Sequence, residues 1–143
     1  MLFKRILMTV LAMAAATLVV PAARAQSKKP VLVFACDDVS EACKLWRSQW
    51  QPIFAGSPAY KMVDFRAVNA PTAQALLKPA AWPADLRWVL DTFLMSQAGQ
   101  WQEYETPRFF LLQDGAITAS TGGNNGWRDF MWPTLLDVTN TKP

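Results

Sequence analysis

Histidine is absent from all 143 residues of the sequence, and this absence excludes several kinds of active site. Without histidine there is no Ser-His-Asp triad and no Cys-His pair to activate a nucleophile. Most zinc sites also need histidine or more than two cysteines, and the chain has two cysteines. Few enzyme classes remain open, and neither a metal nor any other cofactor is expected.

The chain also lacks excess positive charge beyond its first 25 residues. Three of the 14 basic residues lie among the first 25 positions, and none of the 11 acidic residues does. Residues 26–143 therefore carry equal numbers of positive and negative side chains, with no basic stripe along them. Nucleic acid is not expected as a partner.

The beginning of the chain has the three-part pattern of a secretory signal peptide. Lys4 and Arg5 precede an apolar run over residues 6–20, Pro21 ends the run, and Ala23-Arg24-Ala25 offers small residues for cleavage. The run is short for a membrane span of about 20 residues, which favours cleavage over an uncleaved anchor. We expect a signal peptide at 1–25, a single domain at 26–143, membrane contact only during export, and a periplasmic location where disulfides persist.

Hydrophobic patterning and turn residues predict an α/β domain. The predicted elements are a strand at Val31–Ala35, a loop at Cys36–Val39, a helix at Ser40–Gln51 stopped by Pro52, a loop at Ala55–Tyr60, a strand at Met62–Val68, a helix at Ala84–Gln97, a hairpin of Arg108–Gln113 and Ala116–Thr121 around Asp114-Gly115, and a helix at Trp127–Val138. This order predicts a parallel strand-helix-strand unit followed by an antiparallel pair. The result is a mixed central sheet of about four strands flanked by helices.

Three segments of the chain carry a resemblance to a known family. They are Val31-Leu32-Val33-Phe34-Ala35 running on to Cys43-Lys44-Leu45-Trp46, then Thr106-Pro107 with the following strand and Asp114-Gly115, and finally Gly123-x-x-Gly126 with Phe130-x-Trp132 and Leu135-Leu136. Together they resemble the thioredoxin-like superfamily, and the third segment resembles in particular the periplasmic thioredoxin-like regulatory proteins associated with bacterial sulfur oxidation. The resemblance implies a thioredoxin-like fold with a helical insertion before the strand that follows Pro107. It also implies a cis Thr106–Pro107 bond and a groove where these two residues face the active-site loop.

The sequence departs from this family at the motif that carries the chemistry. Where the family has Cys-x-x-Cys, the chain reads Ser40-Glu41-Ala42-Cys43. A hydroxyl has almost no ionised population near neutral pH and forms no mixed disulfide, so the first step of thiol–disulfide exchange is lost. Serine is instead among the best helix N-cap residues, and we predict that Ser40 caps the helix.

Cys36 leaves two alternatives open. Two cysteines in an exported protein usually pair, and Cys36 lies seven positions before Cys43. A disulfide needs Cα atoms within about 7 Å, and a thioredoxin-like loop separates the two residues by more than this unless the loop is reshaped. The cysteines are therefore either a bridge, with a structural role favoured over a redox role, or two free thiols.

The tryptophans predict both core and surface. Trp46 and Trp50 share a helix face with Cys43, and Trp127 and Trp132 flank Phe130, so these side chains are predicted to pack in the core. Trp88 points away from the apolar face of its helix, with Met95 nearby, which marks a candidate partner surface. The alternative is that Trp82 or Trp101 covers Trp88.

Three functions compete on this basis. The first is a thioredoxin-like module without exchange chemistry that binds another periplasmic or envelope protein, with the groove at Thr106 and Pro107 accepting an extended peptide. The second is a thiol–disulfide oxidoreductase that uses Cys36 and Cys43, which would make the protein an enzyme. The third is a binder of glycans or envelope components built on Trp82, Trp88 and Trp101.

Overall fold

A computed structural model of the protein describes residues 28–96 and 105–143. The predicted signal peptide, Gly99 and Trp101 lie outside the described residues. The helices are α1 (Glu41–Leu45), α2 (Gln51–Ala55), α3 (Pro58–Met62), α4 (Arg87–Ser96), α5 (Gly123–Gly126) and α6 (Trp132–Thr139), and the strands are β1 (Val31–Asp37), β2 (Asp64–Ala70), β3 (Arg108–Gln113) and β4 (Ala116–Gly122). In the part of the chain that the structure describes, no helix is both long and apolar enough to cross a bilayer.

The four strands form one mixed sheet in the order β2-β1-β3-β4. β1 runs parallel to β2 and antiparallel to β3, and β3 pairs with β4 in an antiparallel hairpin. At the hairpin turn, Asp114 and Gly115 have φ angles of 50° and 75°, the positive values that a two-residue type I′ turn requires. The predicted α/β class and mixed four-stranded sheet are confirmed.

Alternating side chains of β1 supply both faces of the sheet with a core, because successive residues of a strand point to opposite sides. Leu32 and Phe34 belong to the cluster beneath α1, α2 and α6, whereas Val33 and Ala35 belong to the cluster beneath α4. Three short 3₁₀ turns, at Ala75–Leu77, Pro79–Ala81 and Ala84–Leu86, bring further apolar residues to the second cluster. These turns and α4 form the helical insertion between β2 and β3.

The predicted loop at Cys36–Val39 begins two residues too early. β1 continues through Cys36 and Asp37, which pair with Asn69 and Ala70 of β2. The strand alternation therefore extends to Cys36 and places it in the same cluster as Phe34, on the face covered by α1.

The prediction that Pro52 stops the first long helix is wrong. The helix passes from α1 through a π-helical turn at Trp46–Trp50 into α2. In that turn the N–H of Gln51 donates to the carbonyl of Trp46, five residues earlier. Because proline ordinarily clashes with the carbonyl four residues before it, a turn widened to five-residue hydrogen bonds lets the helix continue through Pro52.

The last helix repeats this arrangement. It begins at α5, widens in a π-helical turn at Trp127–Met131, and continues as α6 with Pro133 in its first turn. Here the N–H of Trp132 donates to the carbonyl of Trp127. The predicted start at Trp127 was four residues late, because Gly123 and Gly126 lie inside the helix rather than before it.

The predicted loop at Ala55–Tyr60 also contains helix. Ser57 caps α3 by accepting a hydrogen bond from the N–H of Tyr60 at 3.4 Å, and Pro58 occupies the first turn, where its missing N–H is not needed. As α3 runs to Met62, β2 begins at Asp64 rather than at Met62 as predicted. A Ser-Pro pair that reads as a loop signal is here a helix start.

Candidate functional site

Ser40 is the N-cap of α1, as predicted from its place in the motif. Its backbone is extended, and its Oγ accepts a hydrogen bond from the N–H of Cys43 at 3.3 Å. The Cys43 N–H, one of the free donors in the first turn of α1, is therefore satisfied by a serine hydroxyl. The position that holds the attacking thiol in a Cys-x-x-Cys motif has a structural role in this chain.

Cys36 and Cys43 form a disulfide, with their Cα atoms 5.9 Å apart. This result resolves the two alternatives left open by the sequence and corrects the expectation that the Cα atoms lie too far apart. The correction has a physical reason, since the extension of β1 aims Cys36 at the first turn of α1. Both cysteines are 0 % exposed, so the bridge is enclosed in the core beneath Trp46.

Asp37 lies beside this bridge and was not singled out by the sequence analysis. It is 1 % exposed. Its Oδ1 accepts hydrogen bonds from the N–H groups of Val39 and Ser40 at 3.0 and 2.6 Å, and its Oδ2 accepts one from the Thr106 hydroxyl at 2.7 Å. The bonds to its own chain form an Asx-type turn, so an aspartate at a strand end, just before a helix cap, was the available signal.

Hydrogen bonds stabilise the ionised form of Asp37. Burial acts to raise the pKa of Asp37, but the bonds from Thr106, Ser40 and Val39 outweigh it, and the pKa lies below its ordinary value of 3.8. The ion pairs found among the described residues do not include Asp37. Arg47 reaches the main chain of Asp37 rather than its carboxylate, because its Nη1 donates to the Asp37 carbonyl and its Nη2 donates to Asn69.

Acid is therefore expected to destabilise the protein through Asp37. A carboxylate whose pKa is lower in the folded than in the unfolded state adds stability above about pH 4–5, and this stability is lost as the pH falls through the folded-state pKa. Between pH 6 and pH 3, we expect Asp37→Asn to lose less unfolding free energy than the wild type, by on the order of 1 kcal/mol. Urea unfolding at a series of pH values measures this difference. Asp38→Asn, a change at an exposed neighbour, is the control and should follow the wild type; equal acid sensitivity of all three proteins would contradict the role assigned to Asp37.

Thr106 and Pro107 come directly before β3, and Thr106 is joined to the end of β1 through Asp37. The bond between them is cis, and both residues are buried. The Thr106 side chain is turned toward Asp37, and the carbonyl of Pro107 accepts a hydrogen bond from the N–H of Gly123 at 2.8 Å. Gly123 has a φ of 76°, a conformation that suits glycine. Three segments distant in sequence thus meet around the disulfide.

Two apolar side chains are exposed in and beside the motif's helix. Val39 is 65 % exposed and Leu45 is 42 % exposed. Leu45 also lines a shallow cavity of about 520 Å³ between α1 and α5, where Asn124 Nδ2 donates to the carbonyl of Ala42. The cavity is lined by Glu41, Ala42, Lys44, Leu45, Ser48 and Asn124.

The tryptophans divide differently from the prediction. Trp46 and Trp127 are buried and in contact, but Trp82, predicted to be available for ligands, is 2 % exposed and donates its indole N–H to the carbonyl of Leu76. Trp88 is half-buried against the second core cluster, whereas Met95 is 78 % exposed. The prediction that Trp82 forms part of a surface for glycans or envelope components is therefore wrong, because this ring faces the core.

No set of three or more His, Cys, Asp or Glu side chains within residues 28–96 and 105–143 is arranged to hold a metal ion. The polar groups near the bridge instead bind one another, as described for Asp37, Thr106 and Ser40.

Comparison with known proteins returns only distant structural similarity. Neither a protein-family model nor a curated protein sequence matches the chain. Among solved structures, the chain is similar to the thioredoxin Mala s 13 of Malassezia sympodialis (14 % identity, 79 % of this chain and 77 % of that chain, TM-score 0.48) and to Trxlp of Edwardsiella tarda EIB202 (21 %, 80 % and 84 %, TM-score 0.43). It is also similar to the DsbH oxidoreductase (16 %, 77 % and 74 %, TM-score 0.44). The fold assignment follows from the mixed four-stranded sheet flanked by helices, the architecture that the thioredoxin resemblance implied.

Proposed function

We propose that this protein is an exported thioredoxin-like module that binds another protein of the periplasm or envelope and does not catalyse thiol–disulfide exchange. The observation that carries the proposal is the complete burial of both cysteines in the bridge. Exchange begins when a thiolate reaches a sulfur atom of the disulfide, so the rate depends on access to that sulfur. A bridge enclosed by the core favours a structural staple over a redox centre.

The binding half of the proposal rests on the surface that remains around the motif. Val39 and Leu45 expose apolar side chains there, and Val39 is two residues from Asp37, which binds Thr106. An extended peptide that docks at this surface would place its apolar side chains against Val39 and Leu45. The partner class is therefore a protein segment in extended conformation.

A thiol–disulfide oxidoreductase is the second candidate, and the presence of the Cys36–Cys43 bridge is what favours it. Such an enzyme would form transient mixed disulfides with its substrates, so its contacts would depend on cysteine. A binding module makes noncovalent contacts that persist without cysteine. This difference separates the two functions.

Site-specific photo-crosslinking in a Gram-negative host provides the test. A photoreactive residue at Val39 should give light-dependent adducts with an exported protein, and these adducts should persist in the Cys36→Ala/Cys43→Ala variant once circular dichroism shows it to be folded. The same probe at Met95, which is on α4 and is 78 % exposed against 65 % for Val39, is the control and should give none. Adducts that form without light, require the cysteines and disappear on reduction are mixed disulfides and would identify the oxidoreductase. Light-dependent adducts from Met95 alone would move the partner surface to Trp88 and Met95.

A further inference from the structure

The contact between Asp37 and the disulfide has a chemical consequence. Asp37 Oδ2 lies 3.9 Å from Cys43 Sγ. Because this sulfur is in a disulfide and carries no hydrogen, the approach is a contact without a hydrogen bond. A buried carboxylate thus lies directly against one end of the bridge.

We propose that Asp37 is a positioning residue that protects the Cys36–Cys43 bridge from reduction by placing a fixed negative charge against Cys43. The proposal rests on the structural bridge of the proposed function. It adds that electrostatic repulsion, as well as burial, slows reduction of the bridge.

The chemistry of reduction explains why a charge at this place matters. The thiolate of an external dithiol attacks one sulfur, a new S–S bond forms, the Cys36–Cys43 bond breaks, and its electron pair leaves on the other sulfur. The second thiolate of the same reductant then attacks the mixed disulfide. The reductant leaves as a cyclic disulfide, and the two protein thiolates take protons from solvent. Attack at Cys36 expels the Cys43 thiolate beside Asp37, and attack at Cys43 brings the incoming thiolate to the same carboxylate. Either route places negative charge next to negative charge.

The other charged side chains around the bridge bind groups other than the Asp37 carboxylate. Arg47 contacts the main-chain carbonyl of Asp37 rather than its carboxylate. On α1, Glu41 and Lys44 pair with each other at 2.7 Å and are exposed. Asp38 is exposed, so solvent screens it. From β3, the Arg108 guanidinium lies over the ring of Phe93.

The geometry of Asp37 also keeps the charge in place. Two backbone N–H groups and the Thr106 hydroxyl occupy its oxygens, so the carboxylate cannot rotate away from Cys43 without losing these bonds. Asparagine keeps the shape and can still accept the bonds from Val39 and Ser40. Asp37→Asn therefore removes the charge with little change in packing.

The experiment measures reduction of the bridge by dithiothreitol in the folded full-length mature protein. We expect Asp37→Asn to be reduced at least about tenfold faster than the wild type, since one like charge at this distance is removed, and Asp38→Asn to stay within about twofold. A second readout is independent of stability and uses a Cys36→Ala background, in which Cys43 is a thiol. There the Cys43 thiol should ionise at lower pH when the Asp37→Asn substitution is added than when Asp37 is kept, as followed by thiolate absorbance.

The outcomes separate this inference from the proposed function. An Asp37→Asn variant reduced at the wild-type rate would overturn the inference. Faster reduction with an unchanged Cys43 titration would overturn it as well, because it would show only a loosened loop. A wild-type bridge reduced as readily as that of an exchange catalyst would instead contradict the structural role of the bridge.

Discussion

Replacing Trp46 with alanine is expected to lower the free energy of unfolding by about 3–5 kcal/mol, the cost of removing a large buried aromatic side chain. Trp46 is 0 % exposed. Its ring stacks on Phe34 at 4.2 Å between centroids and meets Trp127 edge to face at 5.2 Å. It joins β1, the first long helix and the last helix, so its removal leaves a cavity where three elements meet. Urea unfolding followed by circular dichroism measures the loss.

Two further variants separate ring packing from other effects. The indole N–H of Trp46 is buried and has no hydrogen-bond partner within the described residues, so Trp46→Phe gives up part of the volume but also removes an unsatisfied donor. We expect Trp46→Phe to cost less than half as much as Trp46→Ala. Trp50→Ala, at a half-buried position one turn along, should also cost less than Trp46→Ala; equal losses at positions 46 and 50 would contradict the central place of Trp46.

The Ser40→Cys substitution in a Cys36→Ala background is expected to create thiol–disulfide exchange activity. Ser40 is the N-cap and Cys43 the third residue of the helix, so the introduced thiol lies at a helix N-terminus, where the dipole favours a thiolate. Ser40 is half-buried whereas Cys43 is buried, so the introduced thiol is also the accessible one. We expect a bridge to Cys43 and insulin reduction at least about tenfold above the wild type, in which we expect negligible turnover.

The stability of this variant should permit the assay. Loss of the serine cap costs about 1 kcal/mol, and loss of the short Cys36–Cys43 loop closure roughly 2.5 kcal/mol. Both are modest beside a typical domain stability of about 5–15 kcal/mol. The Cys36→Ala variant alone is the control and should be inactive. A folded double variant that forms no bridge and reduces no insulin would show that residues 40–43 do not have the geometry of an exchange motif.

The sequence was sufficient for the sheet and for the helix cap. The apolar run from Val31 predicts a buried central strand, Asp114-Gly115 predicts the hairpin, and Ser40 predicts a cap, because each of these signals acts over a few neighbouring residues. The same kind of local signal also bears on the disulfide. Leu32, Phe34 and Cys36 alternate along one strand, and this alternation places Cys36 on the face of the sheet where Cys43 lies.

The contact of Asp37 with Thr106 could not be predicted, because the residues are 69 positions apart and no local pattern joins them. The continuation of the first long helix through Pro52 could not be predicted for another reason. Regular α-helical spacing counted from Trp46 would place Ile53 toward the core, yet Ile53 is 57 % exposed and Phe54 is 1 % exposed. The π-helical turn adds one residue to the repeat, so every later side chain is rotated by about one helical position, roughly 100°.

The two prolines bear on how this chain can change in evolution. Each proline follows a tryptophan by six positions, in Trp46-Arg47 to Pro52 and in Trp127-Arg128 to Pro133, and in both helices the tryptophan carbonyl accepts the five-residue bond. A deletion of one residue from either segment would restore ordinary helical spacing but leave proline against a carbonyl that it cannot approach. The extra residue and the proline therefore depend on each other. Lineages that shorten one of these helices by a single codon would have to replace its proline as well, which makes the spacing of the two segments resistant to single-residue deletions.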